Sequence, residues 1–332
     1  MVLLSLSKSY YSSPLSAFVH WDLKEEESGL PEYFRINGQV QSNQGKLTDL
    51  EVGCGRSKKY PKTIKVDGVK VKPHEYIGHL KTVLFTPQDL NMVFLSPMIR
   101  RRYVNVLLSQ VDPQYLRHLS QYQLVLKHRN KLLEQLREAT SRVSELDYWD
   151  EQLVLHGSYL LWKRKLLFES FQQKLSTHYE QISSESLEFS LVWKKNWHGS
   201  DLPEVQESFG EYIREKRKRD IDASLTCGGP HREDYIFQMK GKNLAEFGSR
   251  GECRSAVLSL KLAEAEYIRE ICGDSPVVLF DDVFSELDVD RQKNLLRLFP
   301  VEQVIITTTH LEFTREDAIV WSVQEGMISE TT

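Results

Sequence analysis

The sequence predicts an α/β protein with a mixed sheet, interrupted by a mainly helical lobe. Three observations predict it. The run "VVLF" (277–280) follows Pro276 and ends at Asp281 and Asp282, as a buried strand of a parallel sheet does. Residues 31–86 carry alternating or β-branched runs, with Asp67-Gly68 between "TIKV" and "VKV" as a hairpin signal. From Ile99 to about Ser183 apolar residues instead recur at three- and four-residue spacing. Strand-bearing segments therefore flank a helical one, and the chain divides into residues 1–90, 91–186 and 187–332.

Taken in order, "LLSLSKSY" reads as the end of a helix entering a loop. Strands follow in "YFRINGQV", "KLTDLEVG" and "KTIKVDGVKV", and "KTVLFTPQDL" (81–90) gives a short apolar strand that stops at Pro87. In the helical part, Leu119, Tyr122, Leu126, Leu133 and Leu136 form one seam, interrupted by Arg129. Leu161, Phe168, Phe171, Leu175 and Ile182 form a second. Two long helices of about 40 Å, at 1.5 Å per residue, are expected to turn near "ELDYWDEQL" (145–153) and pack as a hairpin rather than stand apart as a recognition arm. "LEFSLVW" reads as a strand, and Pro203 starts a helix ending in "REKRKRD" (214–220). "TCGGPHRED" reads as a glycine-rich loop and "YIFQMKG" as a strand. A helix from about Gly251 to Ile271, the "VVLF" strand, a helix near 290–299 and the strand "QVIITTTH" complete an alternation that predicts parallel α/β structure.

A chain of 332 residues, 40% hydrophobic and 27% charged, suits a soluble globular protein with much exposed helix. The net charge of −4 supplies no global positive field, so contact with nucleic acid must come from local patches. Cys54, Cys227, Cys253 and Cys272 form no CxxC pair, which argues against a zinc site or a disulfide framework and for reduced thiols in a cytoplasmic protein. No apolar stretch approaches the ~20 residues of a membrane span, and the first residues lack the basic region of a signal peptide.

The chemistry gathers near the C-terminal third. Asp281 and Asp282 stand at the carboxyl end of a predicted parallel strand, where ligands of such sheets gather. Adjacent carboxylates repel, and a hard cation such as Mg²⁺ with phosphate behind it relieves them; a solvated strand end is the plain reading. Gly248, Ser249 and Gly251 precede a strongly helical run, where free N–H groups bind anions or simply form an ordinary cap. The order decides between these readings. A Ser-x-Gly cap, a helix, a strand ending in Asp-Asp, then "SELD" and a strand ending in "TTTH" rarely arise together by chance.

This order resembles the C-terminal half of an ABC/SMC-type ATPase head, and within that class the RecF family. "GGPHRED", "FGSRGECRSAVLSLKLAEAE", "VVLFDDVFSELDVDRQ" and "VIITTTH" carry the resemblance, as do "GHLKTVLFTPQDLNMVFLSPMIRRRYVNVLLSQVDPQYL" and the opening "LLSLSKSY". The resemblance implies ATP and Mg²⁺ as cofactors. Asp281 would hold Mg²⁺, directly or through water, and Asp282 would be the acid that polarises the attacking water. Ser249 and Gly251 would be the signature motif, touching the nucleotide of a partner protomer. Ser285 and Asp288 would belong to the loop that crosses to it. His310 would be the switch histidine, and Gln88 would lie near the Q-loop, where the family often carries an acid. His231 and Arg232 belong to the "GPHR" loop, whose chemistry the residues alone do not give; such a pair reads first as structural.

The resemblance further implies ATP-dependent DNA binding at gapped or junction DNA by an ATP-dependent homodimer. It would act with RecR-type and RecO-type mediator partners to help load the recombinase RecA in DNA repair and replication restart. Candidate DNA contacts are Arg100, Arg101 and Arg102, and Arg214, Lys216, Arg217, Lys218 and Arg219; Lys163-Arg164-Lys165 and Lys194-Lys195 are further basic clusters. Two departures stand out. Arg250 and Glu252 occupy positions where the family usually has glutamine, and Glu252 adds negative charge beside a phosphate site. No G-x-x-x-x-G-K-[ST] is present, and the nearest approach, "GQVQSNQGKLT" with Lys46, lies between predicted strands. The opening resembles the end of the helix that follows the P-loop. The expectation is therefore that in-frame coding sequence upstream of Met1 supplies the P-loop, or else that nucleotide binding in cis is lost. Two other readings stand beside the ATPase: a non-catalytic DNA-binding scaffold, favoured by a true start at Met1, and a transporter-type ABC subunit, which "SELD", "GPHR" and the helical lobe oppose.

Overall fold

A computed structural model of the chain describes residues 1–10, 14–20, 32–185, 188–195, 197–284, 289–298, 303–309 and 318–330. Helix α1 (Val2–Leu6) ends at Ser7, whose φ of 50° turns the chain into a loop, as the opening residues predict. Strands β1 (Tyr33–Gln41), β2 (Leu47–Gly55), β3 (Thr63–Val66) and β4 (Val69–Lys70) form an antiparallel sheet in that order. Asp67 and Gly68, at φ 50° and 79°, make the β3–β4 turn that their Asp-Gly sequence foretells. The sheet covers its own small core of Leu3, Leu4, Leu50, Val52, Ile64 and Tyr76. Strand β5 (Thr82–Phe85) leaves this sheet for the one that carries the site.

The helical lobe comprises α2 (Pro97–Val111), α3 (Pro113–Arg137) and α4 (Leu146–Ser183). Asp112 caps α3 by accepting from the Gln114 and Tyr115 amides, and Pro113 occupies the first turn, where its missing N–H costs nothing. The 38 residues of α4 extend about 57 Å at 1.5 Å per residue. The helices pack as the expected hairpin, but the turn lies earlier than "ELDYWDEQL". The chain reverses over residues 138–145, with Ala139 at φ 56°, and Leu146, Asp150 and Leu153 already face the interior from α4. The acids and aromatics of that stretch lie on the helix rather than in its turn.

Arg129, which breaks the apolar seam of α3, is fully buried. Its guanidinium donates to Asp150 (2.7 Å) from α4, and to Asp220 (2.8 Å) and Thr226 (2.7 Å) from beyond. Stranding one member of such a network costs about 3–5 kcal/mol, so this cluster fixes how three helices meet.

Strand β6 (Phe189–Lys194) leads to α5 (Leu202–Ala223), capped by Asp201 accepting from the Glu204 amide, and then to β7 (Asp234–Met239) and β8 (Lys242–Asn243). Here the structure corrects the sequence reading. β6, β7 and β8 pair antiparallel in a separate sheet, because side-chain alternation specifies a strand's faces but not its direction. Helix α6 (Arg250–Cys272) is buried along most of its length and lies against α4. It stops at Gly273, whose φ of 72° closes the last turn. Then come β9 (Val277–Asp281), α7 (Val289–Leu298), β10 (Val304–Thr307) and the hairpin β11 (Trp321–Gln324) and β12 (Met327–Glu330). β10, β9 and β5 form a parallel sheet in that order, so strands far apart in sequence stand side by side, as the mixed α/β class predicts.

Candidate functional site

The parallel sheet sets the site. Its register pairs Phe85 with Phe280 and Thr307 with Asp281, so the carboxyl ends of β5, β9 and β10 coincide. Three stretches singled out by sequence leave from this one edge: Thr86–Leu90 with Gln88, Asp281–Asp282, and Thr307–Thr308.

Asp281 is half-buried, and its Oδ1 accepts from the Thr307 hydroxyl at 2.8 Å. The Asp282 amide donates to the Thr307 carbonyl (3.1 Å) and lies 3.2 Å from its hydroxyl. Asp282 itself is exposed and held at φ 53°, a left-handed conformation uncommon for a residue with a side chain. Such outliers cluster at functional sites, where surrounding structure holds them. The two carboxylates thus have different surroundings, one anchored to the neighbouring strand and one turned to solvent. Thr307 is the partner that sequence reasoning missed; its only signal was the threonine run before His310.

On the next strand the turn after β5 folds on itself. Asp89 is buried, and its Oδ2 accepts from the Thr86 amide at 2.8 Å, while Gln88 beside it is exposed. A cavity of ≈ 30 Å³ lies where this turn meets the rest, lined among others by Thr86, Asp89, Arg254, Val257 and Val283. The Gln88 turn, the second and third turns of α6 and the residue after Asp282 therefore share one space.

Ser249 caps α6. Its amide donates to Glu252 at 2.7 Å, and its hydroxyl accepts from the Glu252 amide at 3.2 Å. This reciprocal box explains Glu252 in the signature: its carboxylate satisfies an otherwise orphan amide at the positive end of the helix. The Ser249 amide, above all, holds the Glu252 pKa below its ordinary value. Ser249 is exposed and Gly251 half-buried at this helix start. Ser285, Asp288 and His310 lie outside the described residues.

Lys46 sits in the β1–β2 turn, with Gly45 donating to the Ser42 carbonyl and no helix following, so it has none of the setting of a phosphate loop.

The basic clusters separate into structural and exposed groups. Arg100 is buried: its Nε and Nη2 donate to Asp234 at 2.7 and 3.0 Å, and its Nη1 donates to two carbonyls. That burial and pairing remove Arg100 from the candidate DNA contacts. Arg101 donates to the Glu233 carbonyl, and Arg102, though exposed, to that of Tyr10. Arg164 is likewise buried, bonded to Glu233, Tyr115 and the Pro230 carbonyl. On α5, Arg217 is tied to Asp147 and Asp150, and Lys216 lies over the Tyr212 ring. Arg214, Lys218 and Arg219 are exposed.

The "GPHR" loop turns out to be a staple onto the helical lobe. His231 lies 2.7 Å from the Tyr122 hydroxyl and 3.0 Å from the Thr226 carbonyl, while Arg232 is exposed. Among the described residues, no group of three His, Cys, Asp or Glu side chains is placed to hold a metal ion, and no helix is long and apolar enough to cross a membrane.

Comparison with protein-family models finds no match. Curated relatives are found. The DNA replication and repair protein RecF of Herpetosiphon aurantiacus is 36% identical over 297 residues, covering 86% of this chain and 76% of the relative. That of Geobacillus kaustophilus is 34% identical over 337 residues, covering 98% and 87%. Among solved structures, the recombination mediator protein RecF-ATP in the RecFOR pathway superposes with a TM-score of 0.87 at 28% identity, covering 100% of this chain and 86% of that one.

Proposed function

The chain belongs to the RecF family of DNA replication and repair proteins, and from that premise we propose that it works as one half of an ATP-operated DNA clamp. The observation that carries this is the convergence of the Gln88 turn and the Asp281–Asp282 pair on one edge of a parallel sheet, with Arg254 and Val257 of α6 lining the cavity beside them. Ligands of α/β sheets bind at such an edge.

In this reading Asp282 orients and polarises the water that attacks the γ-phosphate, and its exposure at the end of β9 leaves it accessible to that water. Asp281, fixed by Thr307, would hold Mg²⁺. The donor set suits that ion, which needs only one or two carboxylates and takes its other ligands from water and phosphate. Bound Mg²⁺ supplies positive charge against the phosphate oxygens. Ser249 and the free amides beyond it, with Gly251 permitting close approach, meet the nucleotide of a partner protomer. By the family resemblance Ser285 and Asp288, outside the described residues, would act across the protomer boundary, and His310 and Gln88 would sense the γ-phosphate. Closure of the dimer presents basic surface to gapped or junction DNA, where RecR-type and RecO-type partners help load RecA, and hydrolysis resets it. The 332 residues contain no G-x-x-x-x-G-K-[ST], so the test uses the chain behind an N-terminal segment that bears one.

In that extended chain Asp282→Asn keeps the shape of the side chain and removes its charge. ATP affinity should stay within about twofold while turnover falls by about 10²–10³, the magnitude typical of losing one transition-state electrostatic partner. Unchanged turnover would dismiss Asp282 as the catalytic acid.

A further inference from the structure

We propose that Lys261 is a positioning residue that ties the Gln88 turn to helix α6, so that the segment facing nucleotide in cis and the signature serving the partner's nucleotide move as one body. The proposal rests on the ATPase reading above for what the motion accomplishes, but the tie itself is a matter of geometry.

Lys261 lies midway along α6 and is only 4% exposed. Its Nζ is 3.9 Å from Asp89 Oδ1 and 3.3 Å from Glu264 Oε2. The ammonium also stands 4.9 Å from the centre of the Tyr103 ring and 6.0 Å from that of Phe85. Asp89 is equally enclosed, at 5% exposure. One of its oxygens closes the Gln88 turn through the Thr86 amide; the other accepts from the Tyr10 hydroxyl at 2.8 Å. A single buried carboxylate thus gathers the turn after β5, the beginning of the chain and the signature helix.

One lysine cannot neutralise two buried carboxylates. Burial pushes the Glu264 carboxyl above its ordinary range, against the pull of Lys261. Burial alone would depress the Lys261 pKa, but Asp89 and then Glu264 hold it above its usual value. Glu264 lies on the same helix as Lys261, so the contact that crosses from α6 to another element is the one with Asp89. Swinging the turn away from α6 would strand a charge on each side, so displacement of Gln88 by a γ-phosphate must be followed by the helix. Ser249 stands twelve residues up a continuous helix, about 18 Å away at 1.5 Å per residue, and a rigid element carries the displacement that far.

The first arm of the test uses the 332-residue chain and amide hydrogen exchange. Lys261→Met keeps the length of the side chain and removes its charge. It should speed exchange at residues 86–90 at least tenfold while leaving β2 within twofold, and adding Asp89→Asn should restore protection to within threefold. Unchanged exchange at 86–90, or equal acceleration across the chain, would overturn the tie. The second arm measures ATP hydrolysis in the extended chain. Lys261→Met should lower kcat at least tenfold with KM for ATP within twofold, and the double variant, packed but unlinked, should stay slow. A double variant that regains full kcat would overturn the coupling role. Absence of hydrolysis in the unsubstituted extended chain would count against the ATPase reading alone, leaving the exchange result to decide the tie.

Discussion

His231 has no choice of tautomer. The Thr226 carbonyl can only accept, so Nε2 carries the proton, and Nδ1 is left to accept from the Tyr122 hydroxyl. Burial, opposed by the Thr226 bond and assisted by Arg232, pushes the pKa from its ordinary 6.5 down to about 4. The unfolded chain therefore binds one more proton than the native chain between these values. Stability from this residue is fully present above pH 6.5 and is lost as pH falls toward 4, by about 3 kcal/mol in all. Urea unfolding at pH 7 and pH 4.5 checks this: His231→Gln should remove most of that difference relative to the unsubstituted chain. His118 and His156, whose pKa values burial also lowers, contribute equally to both proteins. An identical pH dependence would mean that His231 is not held neutral. The sequence displayed this residue without its role, since Tyr122 lies 109 positions away. Asp281 and Asp282 were legible because adjacent acids after an apolar run are costly; that Thr307 anchors one of them was not, because a hydroxyl in a strand carries no such tension.

At the scale of elements, helix α5 shows how a charge run divides. Arg217 turns inward to Asp147 and Asp150, while Arg214, Lys218 and Arg219, at helical spacing, remain exposed. Reversing those three to glutamate should weaken DNA binding at least tenfold at low salt and lower the salt-dependence slope by about two to three, as fewer counterions are released. Fluorescence anisotropy across a salt series reads both, and an unchanged slope would mark the run as a solvated face. Arg100 was indistinguishable in sequence from its neighbours Arg101 and Arg102, because only the fold brings Asp234 to it. Element identity was largely legible: the Asp-Gly hairpin, the apolar β9 and the helix seams each have a local period. Pairing direction in β6–β7 and the place of the α3–α4 turn were not, since the first depends on the partner strand. For the second, the buried side of α4 begins at Leu146, within a stretch whose acids resemble a loop.

For the whole molecule, the linear order of motifs is what identified the RecF fold, because its chemistry-bearing ends meet at one sheet edge only when β5, β9 and β10 align. Composition was no guide: a net charge of −4 conceals local basic surface. In the clamp reading nucleotide controls DNA binding, and a scaffold that merely holds DNA would show no such control. The decisive measurement is the affinity of the chain, carried behind a G-x-x-x-x-G-K-[ST] segment, for a gapped DNA duplex with and without a non-hydrolysable ATP analogue at fixed salt. The clamp account predicts at least tenfold tighter binding with nucleotide, accompanied by a shift from monomer to dimer in sedimentation. Equal affinity in both conditions, with the protein monomeric throughout, would contradict it.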